Sequence, residues 1–221
     1  MISFKVLHLV SLALVYLIIG SRFVALGFRQ WAGHSSATIH SLPTQTLHNT
    51  ADTTHYGVPH RVGIGYDIHR LVGPDEGGKP FRLGGVQVED PNIFVVGHSD
   101  GDAVLHAVSD AILGALGLGD IGEHFSDLDS SHKDMDSRTI LNFALSEASK
   151  LGYRPSNVDI NIILQRPRLG TELKNRVRST LSELLGPGVC VNVKAKTNEG
   201  IDALGRGEAV ACQAVALMKY A

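Results

Sequence analysis

The chain has 221 residues, 43% of them hydrophobic, with 20 Lys and Arg against 22 Asp and Glu for a formal net charge of -2. That length allows one ordinary domain with an appendage, or two small domains. The near balance of charge gives no large field to draw nucleic acid or an anionic membrane, and the two cysteines make neither a disulfide framework nor a zinc-finger spacing. Cys190 and Cys212 both lie in apolar runs, "VCVNV" and "VACQAVAL", where buried free thiols are expected.

Residues 1–60 differ in kind from the rest. The run "VLHLVSLALVYLIIG" is apolar except for His8, follows Lys5, and is short for a bilayer span, which needs about 20 residues. It suits the core of a signal peptide. Behind it, up to His60, the chain is rich in Ser, Thr and His, carries Arg22 and Arg29, and has Asp52 as its one acid. That composition fits a transit peptide behind a signal peptide, as for delivery to a plastid bounded by extra membranes; a signal anchor with a stalk is the alternative. Residues 61–221 are then the folded domain, with no stable membrane span expected in the mature form.

From residue 61 the element types alternate. "HRVGIGYDIHRL" predicts a strand, and "GGKPFRLGGVQV" a hairpin-like piece punctuated by Gly and Pro. "DGDAVLHAVSDAILGALGL" carries Val104, Leu105, Val108, Ala111, Ile112 and Leu116 at helical spacing, with Ser99 or Asp100 as its cap and Gly117 past its end. "GDIGEHFSDLDSSHKDMD" has no period and is expected as a long loop. "SRTILNFALSEASKLGY" predicts a second helix, capped by Asp136 or Ser137 and closed at Gly152. "NVDINIILQRP" predicts a strand stopped by Pro167, "GTELKNRVRSTLSELLG" a third helix, and "VCVNVKAKT" a further strand. The last stretch, "GEAVACQAVALMKYA", fits a strand or a helix. Interleaved strands and helices make an α/β layer the natural architecture.

Two motifs carry chemistry. Asp67 and His69 are two apart on a strand, so they share a face. Asp102, His106 and Asp110 fall at i, i+4 and i+8, a polar stripe on an otherwise apolar helix. Asp67, His69 and His106 together suit zinc or a similar divalent ion with one position left open, the catalytic pattern, and Asp110 is placed to orient His106. The same spacing also fits histidines that are merely hydrogen-bonded near a sheet edge. Gly101 between two aspartates at a helix start suits a phosphate, a divalent ion, or a plain helix cap.

"GYDIHR", "GHSDGDAVLHAVSDAILGALGLGDIGEHFSD", "NVDINIILQRPRL" and "VNVKAKTNEG", in that order, resemble the family of 2-C-methyl-D-erythritol 2,4-cyclodiphosphate synthases across essentially all of residues 61–221. The resemblance implies a mixed four-stranded sheet with helices on one face, assembled as a homotrimer with each active site between neighbouring subunits. It implies a phosphorus-oxygen lyase of the non-mevalonate isoprenoid route. The substrate's 2-phosphate attacks the β-phosphorus of its own CDP group and CMP leaves. One Zn2+ and one Mg2+ or Mn2+ serve each site.

The implied zinc ligands are Asp67, His69 and His106. His98, with Ser99 beside it, and Thr197 stabilise the transition state, and Glu199 binds the second metal, as a hard oxygen donor suits that ion. Asp120, Ile121 and Gly122 meet the erythritol and ribose. Phe125, Ser126, Asp127, Leu128 and Asp129 form a closing loop. Leu164, Gln165, Arg166, Pro167, Arg168, Leu169 and Gly170 form the cytosine pocket, and Lys196 and Asn198 join the phosphate site. Ala203 stands where the family often has an aromatic, and Tyr66 where Phe is common. Arg206 matches a basic position of the central cavity, and an ion pair with Glu208 is its other reading. A zinc-dependent phosphohydrolase using the same ligands to activate water is the alternative function.

Overall fold

The structure, a computed structural model, describes residues 58–126 and 129–221. The expected leader up to residue 57, and Asp127 and Leu128 of the expected closing loop, lie outside the described residues.

Strand β1 (His60–Val72) alternates strictly. Val62, Ile64, Tyr66 and Ile68 are exposed on one face, and Gly63, Gly65, Asp67, His69 and Leu71 turn to the other. Helix α1 (Ala103–Leu116) lies directly on that second face. A Cβ on Gly65 would sit 2.8 Å from the Ala111 amide nitrogen and closer still to the Ala107 carbonyl oxygen, so the bare backbone is what lets helix and strand touch. Two and four residues further along the same face, Asp67 and His69 therefore arrive beside the first turn of α1.

That helix is buried almost all round, which explains its nearly unbroken apolar sequence. It is sandwiched between β1 and strand β8 (Ala209–Tyr220) on one side and helix α3 (Ser137–Lys150) on the other. Its cap is Asp102, not Ser99 or Asp100. The Asp102 carboxylate accepts from Val104 N and Leu105 N, each at 3.1 Å, and also from Gly84 N at 2.8 Å and Gly85 N at 2.6 Å. A cap shared with a distant turn is a tertiary contact, which the local run of polar residues does not reveal. The far end closes as expected, with Gly117 in the left-handed conformation.

The sheet has six strands, not four. Its order is β2 (Lys79–Pro80), β5 (Phe94–Val96), β1, β8, β6 (Tyr153–Ile163) and β7 (Cys190–Lys196). The four long strands β1, β8, β6 and β7 form the expected mixed core, in which only β6 and β7 pair in parallel. Strands β3 (Arg82–Leu83) and β4 (Val86–Gln87) form a separate two-stranded ribbon. The undecided last segment is a strand because β8 pairs on both sides, with β1 and β6. Its Cys212, Ala214, Ala216 and Met218 face the core, small enough for α1 to lie close. Strand β6 starts at Tyr153, ahead of the expected Asn157, with a register shift between Pro155 and Asn157.

Helix α3 is capped by Asp136 and buries Ile140, Leu141, Ala144 and Ala148; helix α4 (Thr171–Leu185) buries Val177, Leu181 and Leu185 and packs on β7. Each of these Ile, Leu and Val side chains taken from water contributes about 1.5–3 kcal/mol. The expected long loop is partly helical, with α2 (Ile121–His124) capped by Asp120 and a 3-10 turn at Ser130–His132. Short turns held by caps leave no period to read. Cys212 is buried, as expected, but Cys190 is exposed at the outer end of edge strand β7. No helix among the described residues is long and apolar enough to cross a membrane.

Candidate active site

Asp67 and His69 from β1 meet His106 from the first turn of α1. Asp67 Oδ2 lies 2.9 Å from His69 Nε2 and 3.0 Å from His106 Nδ1, and the two ring nitrogens are 3.2 Å apart. Two imidazole nitrogens and one carboxylate oxygen thus converge on one point, within 4.8 Å of one another. That donor set fits a borderline-soft divalent ion such as zinc, and it leaves a fourth position free for a substrate oxygen.

The other side of the His106 ring supports this fit. His106 Nε2 is 2.8 Å from Ser137 Oγ and 3.1 Å from Ser99 Oγ, and the Ser137 hydroxyl donates to Asp100 Oδ1. With its own proton committed to Asp100, Ser137 Oγ is an acceptor for a proton on Nε2. Nε2 is thus the nitrogen that keeps its proton, while Nδ1 donates to Asp67 as long as it carries one and turns its lone pair toward Asp67 and His69 once that proton leaves, the tautomer a metal ligand needs. Asp110, expected to orient His106, does something else: its Oδ1 accepts from Ile121 N at 2.9 Å and so pins α2. Ser137 was legible in the sequence only as a cap.

The electrostatics follow from the same contacts. Burial pushes the Asp67 carboxyl up, but hydrogen bonds from His106 and His69, and the charge on them, outweigh it and hold the group well below the usual carboxylate range. Burial pushes the His106 imidazole down, but the hydrogen bond and charge of Asp67, with the charges of Asp102 and Asp100, raise it above its ordinary value. Burial raises Asp110.

These three residues open on a pocket of ≈ 370 Å³. It collects the expected His98, Ser99, Ile121, Gly122, Phe125 and Ser126, together with His132, Met135 and Ile140, which no local pattern marks as site residues. Phe125 stands edge-on to His132 at 5.5 Å and to Phe143 at 5.2 Å between ring centroids. Asp120 sits at the margin and caps α2, accepting from Glu123 N at 3.0 Å. Asp129 is exposed and accepts from Ser131 N at 2.9 Å. The helix start offers no second ion or phosphate site, since the Asp102 carboxylate is spent on backbone amides and Asp100 on Ser137.

The remaining expected residues lie elsewhere. The ladders put Lys196 level with Ile163, Ala211 and Ile68, so Thr197, one residue on, comes level with His69 across β8 and β6. Three strand spacings amount to about 14 Å. At that corner Thr197 Oγ1 donates to Glu199 Oε1 at 3.1 Å, and Gln165 Oε1 accepts from Asn198 N at 3.3 Å. Leu164 N donates to Lys196 O at 2.9 Å, and the segment through Arg166, Pro167, Arg168 and Leu169 leads to Gly170 at the start of α4. Ala203 lines another cavity of ≈ 590 Å³, with Ile68, Arg70 and Glu208. Arg206 pairs with Glu208 at 2.8 and 3.0 Å.

Known proteins resemble the chain throughout this domain. The YgbB family profile matches residues 60–219. The 2-C-methyl-D-erythritol 2,4-cyclodiphosphate synthase of Dechloromonas aromatica is 46% identical over 159 residues, covering 72% of this chain and 96% of that protein. Among solved structures, the bifunctional IspDF of Campylobacter jejuni superposes with a TM-score of 0.66 at 35% identity, over 73% of this chain and 42% of that one. The CDP complex of Plasmodium falciparum IspF gives 0.61 at 33% identity, over 73% of this chain and 97% of that one.

Proposed function

The chain belongs to the YgbB family, and we infer that it converts 4-diphosphocytidyl-2-C-methyl-D-erythritol 2-phosphate to 2-C-methyl-D-erythritol 2,4-cyclodiphosphate with release of CMP. It is an enzyme of the non-mevalonate route, a lyase acting on phosphorus-oxygen bonds. The observation that carries the reading is the Asp67–His69–His106 cluster in the lining of a pocket that His98 and Ser99 also line.

In the reaction a bond forms between a 2-phosphate oxygen and the β-phosphorus, and the bond from that phosphorus to the oxygen bridging it to the α-phosphate breaks. The task is to hold two anionic groups together and neutralise their charge. Zn2+ at Asp67, His69 and His106 and Mg2+ or Mn2+ at Glu199 supply Lewis-acid charge neutralisation when bound. His98 and Thr197 donate to the transferring oxygens, with Ser99, Lys196 and Asn198 on the phosphates. Ile121 and Gly122 meet the sugar, Phe125 and Ser126 flank it, and the backbone of residues 164–170 reads the cytosine edge.

Thr197 and Glu199 sit far along the sheet from the metal cluster, and this favours a site shared between subunits of a homotrimer. The exposed apolar row of β1, where Ile64 is 73% accessible, supports the same assembly. Light scattering at assay concentration tests it, and an active monomer overturns it. Residues 1–60 are proposed to deliver the domain to a plastid, on the strength of the apolar run and the acid-poor segment. A reporter carrying them that stays in the cytosol overturns that reading.

The deciding experiment for the chemistry is turnover in oxygen-18 water. An intramolecular nucleophile gives unlabelled CMP and an unlabelled cyclic diphosphate. A linear, labelled phosphate as the main product means that metal-bound water is the nucleophile and the chain is a phosphohydrolase.

A further inference from the structure

Lys79 has no place in the chemistry above, yet its ammonium makes a dense set of contacts. Its Nζ donates to the carbonyl oxygens of three successive residues, Gly97 at 2.9 Å, His98 at 3.1 Å and Ser99, and pairs with Asp134 Oδ1 at 2.6 Å. Three consecutive carbonyls converge on one point only where the backbone is curled. A cation with three protons is the side chain suited to hold that curl. The curled turn is the one that presents His98 and Ser99 to the pocket.

A second loop is laced to the first at the same place. Asp134 N donates to His98 O at 2.9 Å and Asp100 N to Met135 O at 3.1 Å. Asp134 keeps a φ of 60°, a left-handed conformation that residues with a side chain rarely adopt. The Lys79 ion pair gives that conformation a reason. Lys79 itself comes from β2, a two-residue strand at the sheet edge, registered to β5 by Lys79↔Val95. It is not among the residues that line the pocket, so it acts on the reaction through the turn.

We propose that Lys79 is the positioning residue for His98 and Ser99: its ammonium clamps the Gly97–Ser99 carbonyls and, through Asp134, locks that turn to the loop leading into α3. The inference rests on the synthase reading. A surface ion pair of ordinary kind contributes little; what sets this one apart is the run of backbone carbonyls it gathers next to the reacting phosphate.

The test uses the full chain. Lys79→Met is expected to lower kcat about ten- to hundredfold, as a small misplacement of reacting groups does, with KM changed less than about threefold and metal content unchanged. Amide exchange at Asp100 and Asp134 quickens in the same variant. Lys79→Cys in a Cys190→Ser background, alkylated with 2-bromoethylamine, restores the ammonium at the same reach with sulfur in place of one methylene, and kcat returns to within about threefold of wild type. Wild-type kcat in Lys79→Met, unchanged exchange, or no recovery after alkylation each overturns the proposal. Should Lys79→Met fail to fold, Asp134→Gly decides, because glycine accepts the φ of 60° and only the tie is lost. A kcat reduced about threefold or more with faster exchange supports the clamp, and wild-type values of both overturn it. A wild-type chain that leaves the substrate untouched sinks the synthase reading instead, and the exchange measurement still tests the clamp.

Discussion

His106 is 5% exposed, and both nitrogens of its ring have partners, Asp67 on one side and Ser137 with Ser99 on the other. Glu199, across two strands, is exposed, holds a left-handed φ of 51°, and is bonded to Thr197 Oγ1. The first corner is finished by the fold: glycines on β1 admit α1, α1 delivers His106, and the start of α3 sets its tautomer. The second corner has its donors in place but exposed, to be ordered by what binds there. In the proposed reaction the two differ in task, the first holding charge in a fixed place and the second gathering a flexible diphosphate.

The sharpest way to break this contrast is at the finished corner. His106→Ala removes one of three donors from a buried cluster. Outer partners of a metal site cost 10–100-fold when lost, so a ligand should cost on the order of a thousandfold or more in kcat/KM. Bound zinc, measured by emission spectroscopy, should fall with it while circular dichroism stays native. A metal-free variant of full activity would mean the cluster is only a hydrogen-bonded pair of histidines. At the open corner Glu199→Gln keeps shape and removes charge. It should cost about a hundredfold in kcat, the scale of one transition-state contact, with zinc content untouched. Equal loss of zinc in both variants would make the two corners one unit.

How much of this was written in the sequence depends on the range of each contact. The β1 face and the α1 stripe are periodic, so Asp67, His69 and His106 are legible as one set. The helix cap was not, because Ser99, Asp100 and Asp102 are alike locally and the choice is made by Gly84 N and Gly85 N, 18 and 17 residues away. The count of four strands came from the family resemblance, and strands β2 and β5, which the sheet adds to it, are too short to have a period. Ser137 lies 31 residues from His106, and nothing between them signals the contact. The distance between the two corners follows only from the strand order, which no local pattern encodes.

Ser137 gives a graded version of the comparison. Ser137→Ala removes the acceptor for the Nε2 proton and leaves all three ligands. Zinc affinity should fall 10–100-fold, by competition with a chelator, and kcat at saturating zinc should fall less. Ser99 Oγ remains 3.1 Å away to take over part of the role. An affinity equal to wild type would assign the tautomer to Ser99 alone.

The smallest effect is the most specific, and it lies in the pH dependence of the metal-free chain. His106 has its folded pKa raised above 6.5, so its contribution to stability is complete below 6.5 and is lost as pH rises through the folded value. Asp67 has its folded pKa lowered below 3.8, so its contribution is present above 3.8 and is lost as pH falls through the folded value. Both are intact between those limits. The melting temperature of the metal-free chain should peak in that window and decline as pH climbs past 6.5. Zinc reverses the slope, because it binds the deprotonated imidazoles and releases their protons, so the loaded chain should gain stability over the same climb. Glu199→Gln should preserve both slopes, since its corner shares no contact with His106, while His106→Ala should flatten the metal-free decline. Parallel slopes with and without zinc would show that the ion sits somewhere other than on the Asp67–His69–His106 cluster.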